Sequence, residues 1–176
     1  WIIWWVGMGY VAALIGNVWM LVNPWKTVYE WVEKLTGGSS DGSDGMYPYP
    51  DGWDRWPAVA LFFGFAWLEN VYTGSDEPAK LGLLVLLYSV ITWGGMAIFG
   101  KHRWLHSGEA FSVLFGIFSK FSPTEVRVRD VRLCRSCEIK CEPSDGGCVD
   151  CYDCFERAEK GRRELNVRPY AVGLVH

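Results

Sequence analysis

The sequence predicts an all-α membrane region followed by a small cysteine-rich domain at the C-terminal end. Residues 1–121 contain all 11 tryptophans and 17 of the 37 charged residues. Residues 122–176 contain the other 20 charges, only three aromatic residues and all six cysteines. This change in composition predicts a transmembrane region over residues 1–123 and a separate domain over residues 124–176. The hydrophobic content of 50% excludes disorder throughout the chain.

Three segments are predicted to cross the bilayer. Residues 1–22 carry no charged side chain and are long enough to span it. Residues 80–100 are the cleanest candidate, since no charge follows Lys80 in this run. Residues 56–72 are shorter and carry Glu69 near their end, so a buried helix of a soluble protein is the alternative. Because two longer candidates flank them, we interpret residues 56–72 as a third span.

Two further segments are predicted to lie in the membrane interface. Residues 24–35 repeat apolar side chains at helical spacing, and their charged residues fall elsewhere on the helix. Residues 107–121 contain an apolar run that is too short to span, with its phenylalanines on one helical face. The glycine-rich acidic stretch of residues 37–52 is predicted to be a flexible loop.

The distribution of lysine and arginine predicts the orientation. With three spans, residues 23–55 and the C-terminal tail lie on the same side of the membrane. That side carries six basic residues near the span ends, and the opposite loop carries only Lys80. The six are Lys26, Lys34, Arg55, Lys101, Arg103 and Lys120. Positive loops stay inside, so the tail is predicted to be cytoplasmic in a multi-pass protein of the cell membrane.

Polar residues within the apolar region are candidates for an intramembrane site. They are Asn17, Glu69, Glu109, His102 and His106. For Glu109 we favour a helix-start carboxylate that meets the positive end of the helix dipole. The alternative is an ionised group in a membrane cavity, with His102 or His106 as its partner. Asn17 is interpreted as a contact between helices.

Three stretches of this region resemble a family of multi-pass membrane proteins of halophilic archaea and actinobacteria known as fenitrothion hydrolase. They are GNVWMLVNPWKTV (16–28), YPDGWDRWPAVALFFGFAWLE (49–69) and FGKHRWLHSGEAFSVLFGIFSKFSP (99–123). The resemblance implies more spans than three, and therefore that this chain is a piece of a longer protein. It also implies hydrolysis of an organophosphate ester. The sequence contains neither G-x-S-x-G nor H-E-x-x-H, so we transfer the architecture and not the reaction.

The cysteine-rich tail departs from that resemblance and predicts a metal site. Its cysteines follow the spacing C-x2-C-x3-C-x6-C-x2-C-x2-C and are Cys134, Cys137, Cys141, Cys148, Cys151 and Cys154. A strand over residues 126–133, a turn over 143–147 and a helix over 155–165 complete a zinc-ribbon-like pattern. The favoured zinc ligands are Cys134 and Cys137 together with Cys148 and Cys151, and Cys151 and Cys154 are the alternative second pair. A two-zinc cluster matches the count of six, although two of the gaps are short for that motif.

Two other states of the cysteines stay open. The C-x2-C-x2-C repeat of residues 148–154 is also found in ferredoxins, where it holds an iron–sulfur cluster. Disulfides are the remaining alternative, and a cytoplasmic location disfavours them because thiols stay reduced there.

The expected function is that of a membrane-anchored binding or scaffold module. Its partners would be the lipid bilayer and a cytoplasmic protein that binds the tail. A four-thiolate zinc site is structural, because it leaves no position open for a substrate. A membrane hydrolase and an iron–sulfur redox or transport component are the alternatives. Nucleic acid is not an expected partner, since the net charge of −3 provides no basic footprint.

Overall fold

The computed structural model describes residues 2–37, 45–72, 77–137, 139, 141 and 147–175. It is mostly helical, with a small sheet in the cysteine-rich region. The elements in chain order are α1 (Ile2–Leu14), α2 (Trp19–Val22), α3 (Pro24–Thr36), α4 (Trp56–Asn70), α5 (Pro78–Phe99), α6 (Lys101–Ser107), α7 (Ala110–Ser119), β1 (Thr124–Val128), α8 (Val131–Arg135), β2 (Cys148–Val149), α9 (Tyr152–Arg157) and β3 (Arg163–Val167). Short 3-10 turns lie at Lys160–Arg162 and Val172–Val175.

The chain forms two compact units. One combines Trp1–Val22 with Leu114–His176, and the other is Asn23–Val113. This division does not follow the boundary at residue 123 that composition predicts. The N-terminal helices α1 and α2 therefore belong to the same unit as the cysteine-rich region.

Helix α5 is the one helix in the described part of the chain that is long and apolar enough to cross a membrane. It has 22 residues, and its most apolar window has a mean hydropathy of 2.0. The predicted span over residues 80–100 thus corresponds to one continuous apolar helix. Helix α4 occupies most of residues 56–72, but its 15 residues extend only about 22 Å, short of a hydrocarbon core of about 30 Å. The three-span topology stays a prediction.

Residues 1–22 do not form one continuous helix, and their crossing of the bilayer stays a prediction. Helix α1 ends at Leu14, and Gly16 follows with a φ of 140°, a conformation that L side chains rarely adopt. The side chain of Asn17 then accepts a hydrogen bond from the Met20 backbone N–H at 3.3 Å and so starts α2. The apolar composition hides this break, because one glycine and one asparagine change the mean hydropathy little.

The break between α1 and α2 lies against the cysteine-rich region of the same unit. The Thr124 hydroxyl at the start of β1 donates a hydrogen bond to the carbonyl of Ile15. The Tyr152 hydroxyl is hydrogen-bonded to the backbone of Asn17, and burial raises the pKa of Tyr152 to about 12. Beside the break, Trp19 is fully buried and packs edge-on against Phe115 of α7, with ring centroids 5.4 Å apart. The Ile15 carbonyl and the backbone of Asn17 thus have hydrogen-bond partners within the unit.

Both segments predicted to lie in the membrane interface contain a helix, and the interfacial location stays a prediction. Residues 24–35 form α3, whose first turn is capped by the Asn23 side chain, which accepts from the N–H groups of Trp25 and Lys26. Within residues 107–121 the helix is α7, which begins at Ala110, after the end of α6.

The cysteine-rich region is built on a three-stranded antiparallel sheet of order β2-β1-β3. The strand predicted over residues 126–133 is shorter, because the Asp130 side chain accepts from two backbone N–H groups and starts α8. The helix predicted over residues 155–165 is wrong for its second half. There Leu165 pairs with Val126 in the sheet, and this pairing outweighs the local preference of a charged stretch. The turn predicted at residues 143–147 lies outside the described residues apart from Gly147.

In the unit Asn23–Val113, a tryptophan fits between two glycines. The Trp104 indole lies against Gly95 of α5 and against Gly108, and it stacks on Phe99 at a centroid distance of 5.8 Å. A Cβ atom at Gly95 would overlap the fused ring carbons of the indole, which are not a flexible end. Gly100 turns the chain between α5 and α6 with a φ of 86°. Close packing of α5 on α6 thus depends on the absence of a side chain at position 95.

We expect Gly95→Ala to lower the stability of this unit by about 1–3 kcal/mol, because the added methyl group forces the indole or the helix to move. Gly94→Ala is the matched control, since a Cβ atom there meets nothing within 4 Å. The control should be neutral or slightly stabilising, as alanine favours helix more than glycine by about 1 kcal/mol. Thermal unfolding of both variants in detergent measures the difference. Equal melting temperatures for the two variants would contradict this account of the packing.

Candidate metal centre

The six cysteines are brought together by three short elements of the tail. Cys134 lies in α8, and Cys137 follows the end of that helix. Cys148 lies on β2, Cys151 precedes α9 and Cys154 lies within α9. The helix start that positions Cys134 is the Asp130 cap, and the backbone N–H of Leu133 lowers the pKa of that carboxyl. Five of the six cysteines are buried, and Cys141 is partly buried.

Two sets of four cysteines could hold a metal ion. The first set is Cys137, Cys141, Cys151 and Cys154, and the second is Cys134, Cys141, Cys148 and Cys154. Within each set all four Sγ atoms lie within 4.8 Å of one another. The two sets share Cys141 and Cys154. The grouping favoured from the sequence, which joined Cys134 and Cys137 to Cys148 and Cys151, is not one of them.

Two of the sulfur separations in the first set match a tetrahedral site. The Sγ atoms of Cys137 and Cys151 are 3.8 Å apart, and those of Cys141 and Cys154 are 3.7 Å apart. A zinc–sulfur bond of about 2.3 Å gives a tetrahedron whose edges are about 3.8 Å. Two opposite edges of the first set therefore already have the length that a four-thiolate ion requires.

The second set contains a disulfide. Cys134 and Cys148 are bonded to each other, which closes a loop of sequence separation 14. Disulfide sulfurs are not thiolate ligands, so in this covalent state the second set offers only Cys141 and Cys154. The first set is complete, because none of its members is in the disulfide. The sequence favoured reduced cysteines that bind a metal. A disulfide was the less favoured alternative, and the Cys134–Cys148 bond corresponds to that alternative.

Hydrogen bonds among the thiols of the first set shift their pKa values in opposite directions. Hydrogen bonds from Cys151 and then Cys154 lower the pKa of Cys137 strongly, and the same interactions raise the pKa values of Cys151 and Cys154. Burial raises the pKa of Cys141. Of the four thiols, Cys137 is therefore the one whose pKa is lowered.

The sequence analysis missed charged groups that lie beside the cysteines. The Asp153 carboxylate lies 3.5 Å from Cys137 Sγ and is paired with Arg157 at 3.5 Å. Buried Arg168 donates to Asp150 at 2.6 Å, and Asp150, with a φ of 53°, directly precedes Cys151. Nothing distinguishes Arg168 in a tail rich in charges, so no sequence signal identifies it as the residue that fixes this turn.

The predicted intramembrane residues occupy different positions. Asn17 is at the break after α1, Glu69 is near the end of α4, and His102 and His106 lie in α6. His106 Nδ1 is 3.3 Å from the hydroxyl of Ser107. Glu109 directly precedes α7 and is fully buried.

Glu109 is a helix-start residue. Its carboxylate accepts hydrogen bonds from the backbone N–H groups of Phe111 and Ser112 at 2.9 and 2.7 Å, and from the Tyr88 hydroxyl. In the described part of the chain its donors are these three groups rather than a histidine. Ser112 also accepts from the Asn23 side chain at 3.2 Å, which joins the cap of α3 to the first turn of α7. The sequence analysis did not assign this role to Asn23.

We expect Glu109→Gln to destabilise the protein by about 1–3 kcal/mol, because the amide replaces one acceptor oxygen with a donor that faces other donors. Full burial makes this cost larger than the roughly 0.3–1 kcal/mol of an exposed helix-start charge. Glu77→Gln is the matched control, since that side chain is exposed and its pair with Lys80 contributes about 0–1 kcal/mol. Thermal unfolding in detergent compares them. A Glu109→Gln variant as stable as the control would show that the buried cap does not hold α7.

No protein-family model, curated protein or solved structure matches this chain. The resemblance of residues 16–28, 49–69 and 99–123 to the fenitrothion hydrolase family stays a prediction. The described residues define a mostly helical protein with one long apolar helix and a C-terminal cysteine cluster that could hold a metal ion.

Proposed function

We propose that this protein is a membrane-anchored binding module whose C-terminal region folds around a structural zinc ion. The observation that carries the proposal is the geometry of Cys137, Cys141, Cys151 and Cys154, with Sγ separations of 3.8 and 3.7 Å on opposite edges. Thiolates are soft ligands that select zinc or iron–sulfur centres. In an iron–sulfur cluster, inorganic sulfides separate the irons, so thiolates on different irons lie farther apart than one tetrahedron allows. Sets within 4.8 Å favour a single ion.

The role of the ion is structural. Four thiolates fill a tetrahedral shell and leave no position for a substrate or a water molecule. The buried hydrophobic cluster of the tail consists of Val128, Ala158 and cysteines, with a few partly buried side chains packed on it. So small a core cannot offset the entropy of ordering the region, and metal binding supplies the missing free energy.

The membrane anchor is supported by the surface of α5. Leu83, Leu86 and Val90 follow one another at helical spacing and are 67%, 61% and 56% exposed. A stripe of this kind on a 22-residue helix would be unfavourable in water and suits contact with lipid. The excess of lysine and arginine on one side of the apolar segments supports a cytoplasmic tail.

The outer strand of the tail supports a protein partner. Strand β3 is at the edge of the sheet, and its Leu165 and Val167 are 70% and 86% exposed on the same face. An extended segment of a cytoplasmic protein could pair with this edge and cover both side chains.

With the Cys134–Cys148 disulfide intact, we expect Cys137→Ser to remove the bound zinc and to unfold the tail, because three thiolates leave the site incomplete and little apolar burial compensates. The neighbouring Ser136→Ala, which changes an exposed side chain, should keep both the metal and the fold. Elemental analysis and limited proteolysis beyond Pro123 measure the two properties. A wild-type tail that stays protected after complete chelation would contradict the proposal. A brown protein with visible absorbance would replace zinc with an iron–sulfur cluster.

We expect cysteine reporters on the two sides of α5 to differ in their reaction with an impermeant thiol reagent on intact cells. A reporter at Met46, which is exposed in the first loop, should stay unlabelled, and one at Glu77 should react. The reason is the basic excess that keeps the first loop inside. Strong labelling at Met46 from outside would reverse the proposed topology.

A further inference from the structure

The cysteine cluster contains more sulfur than its complete site requires. The first set uses four thiols, and the two remaining cysteines, Cys134 and Cys148, are joined in the disulfide. These same two cysteines complete the second set with Cys141 and Cys154. The disulfide and the second four-sulfur set therefore exclude each other, while the first set is available in either case.

We propose that reduction of the Cys134–Cys148 disulfide creates a second metal site, so that the tail binds one divalent ion when oxidised and two when reduced. This inference rests on the proposed zinc centre at the first set. In the reduced form Cys141 and Cys154 bridge the two ions, and Cys134 and Cys148 are terminal ligands of the second ion. The number of metal ions bound by the tail therefore depends on the redox state of its surroundings.

The bridging arrangement follows from the shared edge. The Sγ atoms of Cys141 and Cys154 are 3.7 Å apart, which is the length of a tetrahedral edge. Two tetrahedra that share this edge use six sulfurs, and the tail provides six. A thiolate retains lone pairs after binding one ion, so each bridging sulfur can bind a second.

The net charge of the cluster permits the change from a disulfide with one ion to six thiolates with two ions. One divalent ion with four thiolates carries two negative charges, and two divalent ions with six thiolates also carry two. The second ion therefore adds no net charge to a buried region, and the desolvation cost that limits buried charges does not increase. The Asp153 carboxylate beside Cys137 is paired with Arg157, which offsets its charge.

The redox step is an ordinary thiol–disulfide exchange. A reducing dithiol donates two electrons, its own sulfurs become a disulfide, and Cys134 and Cys148 become free thiols. Each thiol releases its proton when it binds the second ion. Cys134 and Cys148 are buried, so β2, which is only two residues long, must open locally before the dithiol reaches the bond. In a reducing cytoplasm the two-ion form is the expected one.

The test uses the full chain in detergent. One sample is kept oxidised, and one is reduced by a phosphine and reloaded with zinc without oxygen. Bound metal is measured by elemental analysis, and free thiols are counted after chelation and denaturation. The oxidised sample should hold one ion and four thiols, and the reduced sample two ions and six thiols. Cadmium NMR of parallel samples loaded with cadmium in place of zinc should show one resonance for the oxidised protein and two for the reduced protein.

The double variant Cys134→Ser/Cys148→Ser is the control for the second site. It should hold one ion with or without reductant, and its retained ion shows that the first site is folded. A reduced wild-type protein with six thiols and a single ion would overturn the two-state inference and leave the zinc centre intact. A double variant that gains a second ion on reduction would overturn it as well. Absence of bound metal from both wild-type samples would instead contradict the proposed function itself.

Discussion

Convergence of six sulfur atoms is the constraint on which the C-terminal region depends. Its sheet has strands of five, two and five residues, too small to be stable without additional cross-links. The apolar residues buried with the sulfurs are few, and α8 and α9 are about one turn each. Of these elements, α8, β2 and α9 each carry a cysteine to the same point. The hydrogen-bonded caps and the Arg168–Asp150 pair orient the turns, but they are peripheral to the sulfur cluster.

In the unit Asn23–Val113, neutral and charged side chains cap the starts of helices. Helix starts leave unpaired N–H groups, and these are expensive wherever water is absent. Asn23 and Glu109 satisfy such groups for α3 and α7, and Ser112 connects the two caps. Glu109, one of the candidates for an intramembrane site, is thus occupied with backbone hydrogen bonds at a helix start.

Periodicity and composition were sufficient for the parts of the fold that depend on local sequence. The amphipathic pattern of residues 24–35 and the uncharged run after Lys80 correspond to α3 and α5, because each helix is decided by its own residues. The break at Gly16 and the strand at Leu165 were missed, since both depend on partners more than a hundred or about forty residues away. For the metal centre, the sequence identified the six cysteines but not their grouping. An argument from spacing pairs cysteines that are close in the sequence. The fold instead places Cys137 beside Cys151 and Cys141 beside Cys154.

The hydrogen bond from Thr124 to the carbonyl of Ile15 determines what removal of the tail would expose. It joins the first residue of β1 to the helix break near the N-terminus, within a unit that contains both. Truncation of the chain at residue 123 would leave that carbonyl and the backbone of Asn17 without these partners. It would therefore expose the break between α1 and α2 as well as remove the sulfur cluster.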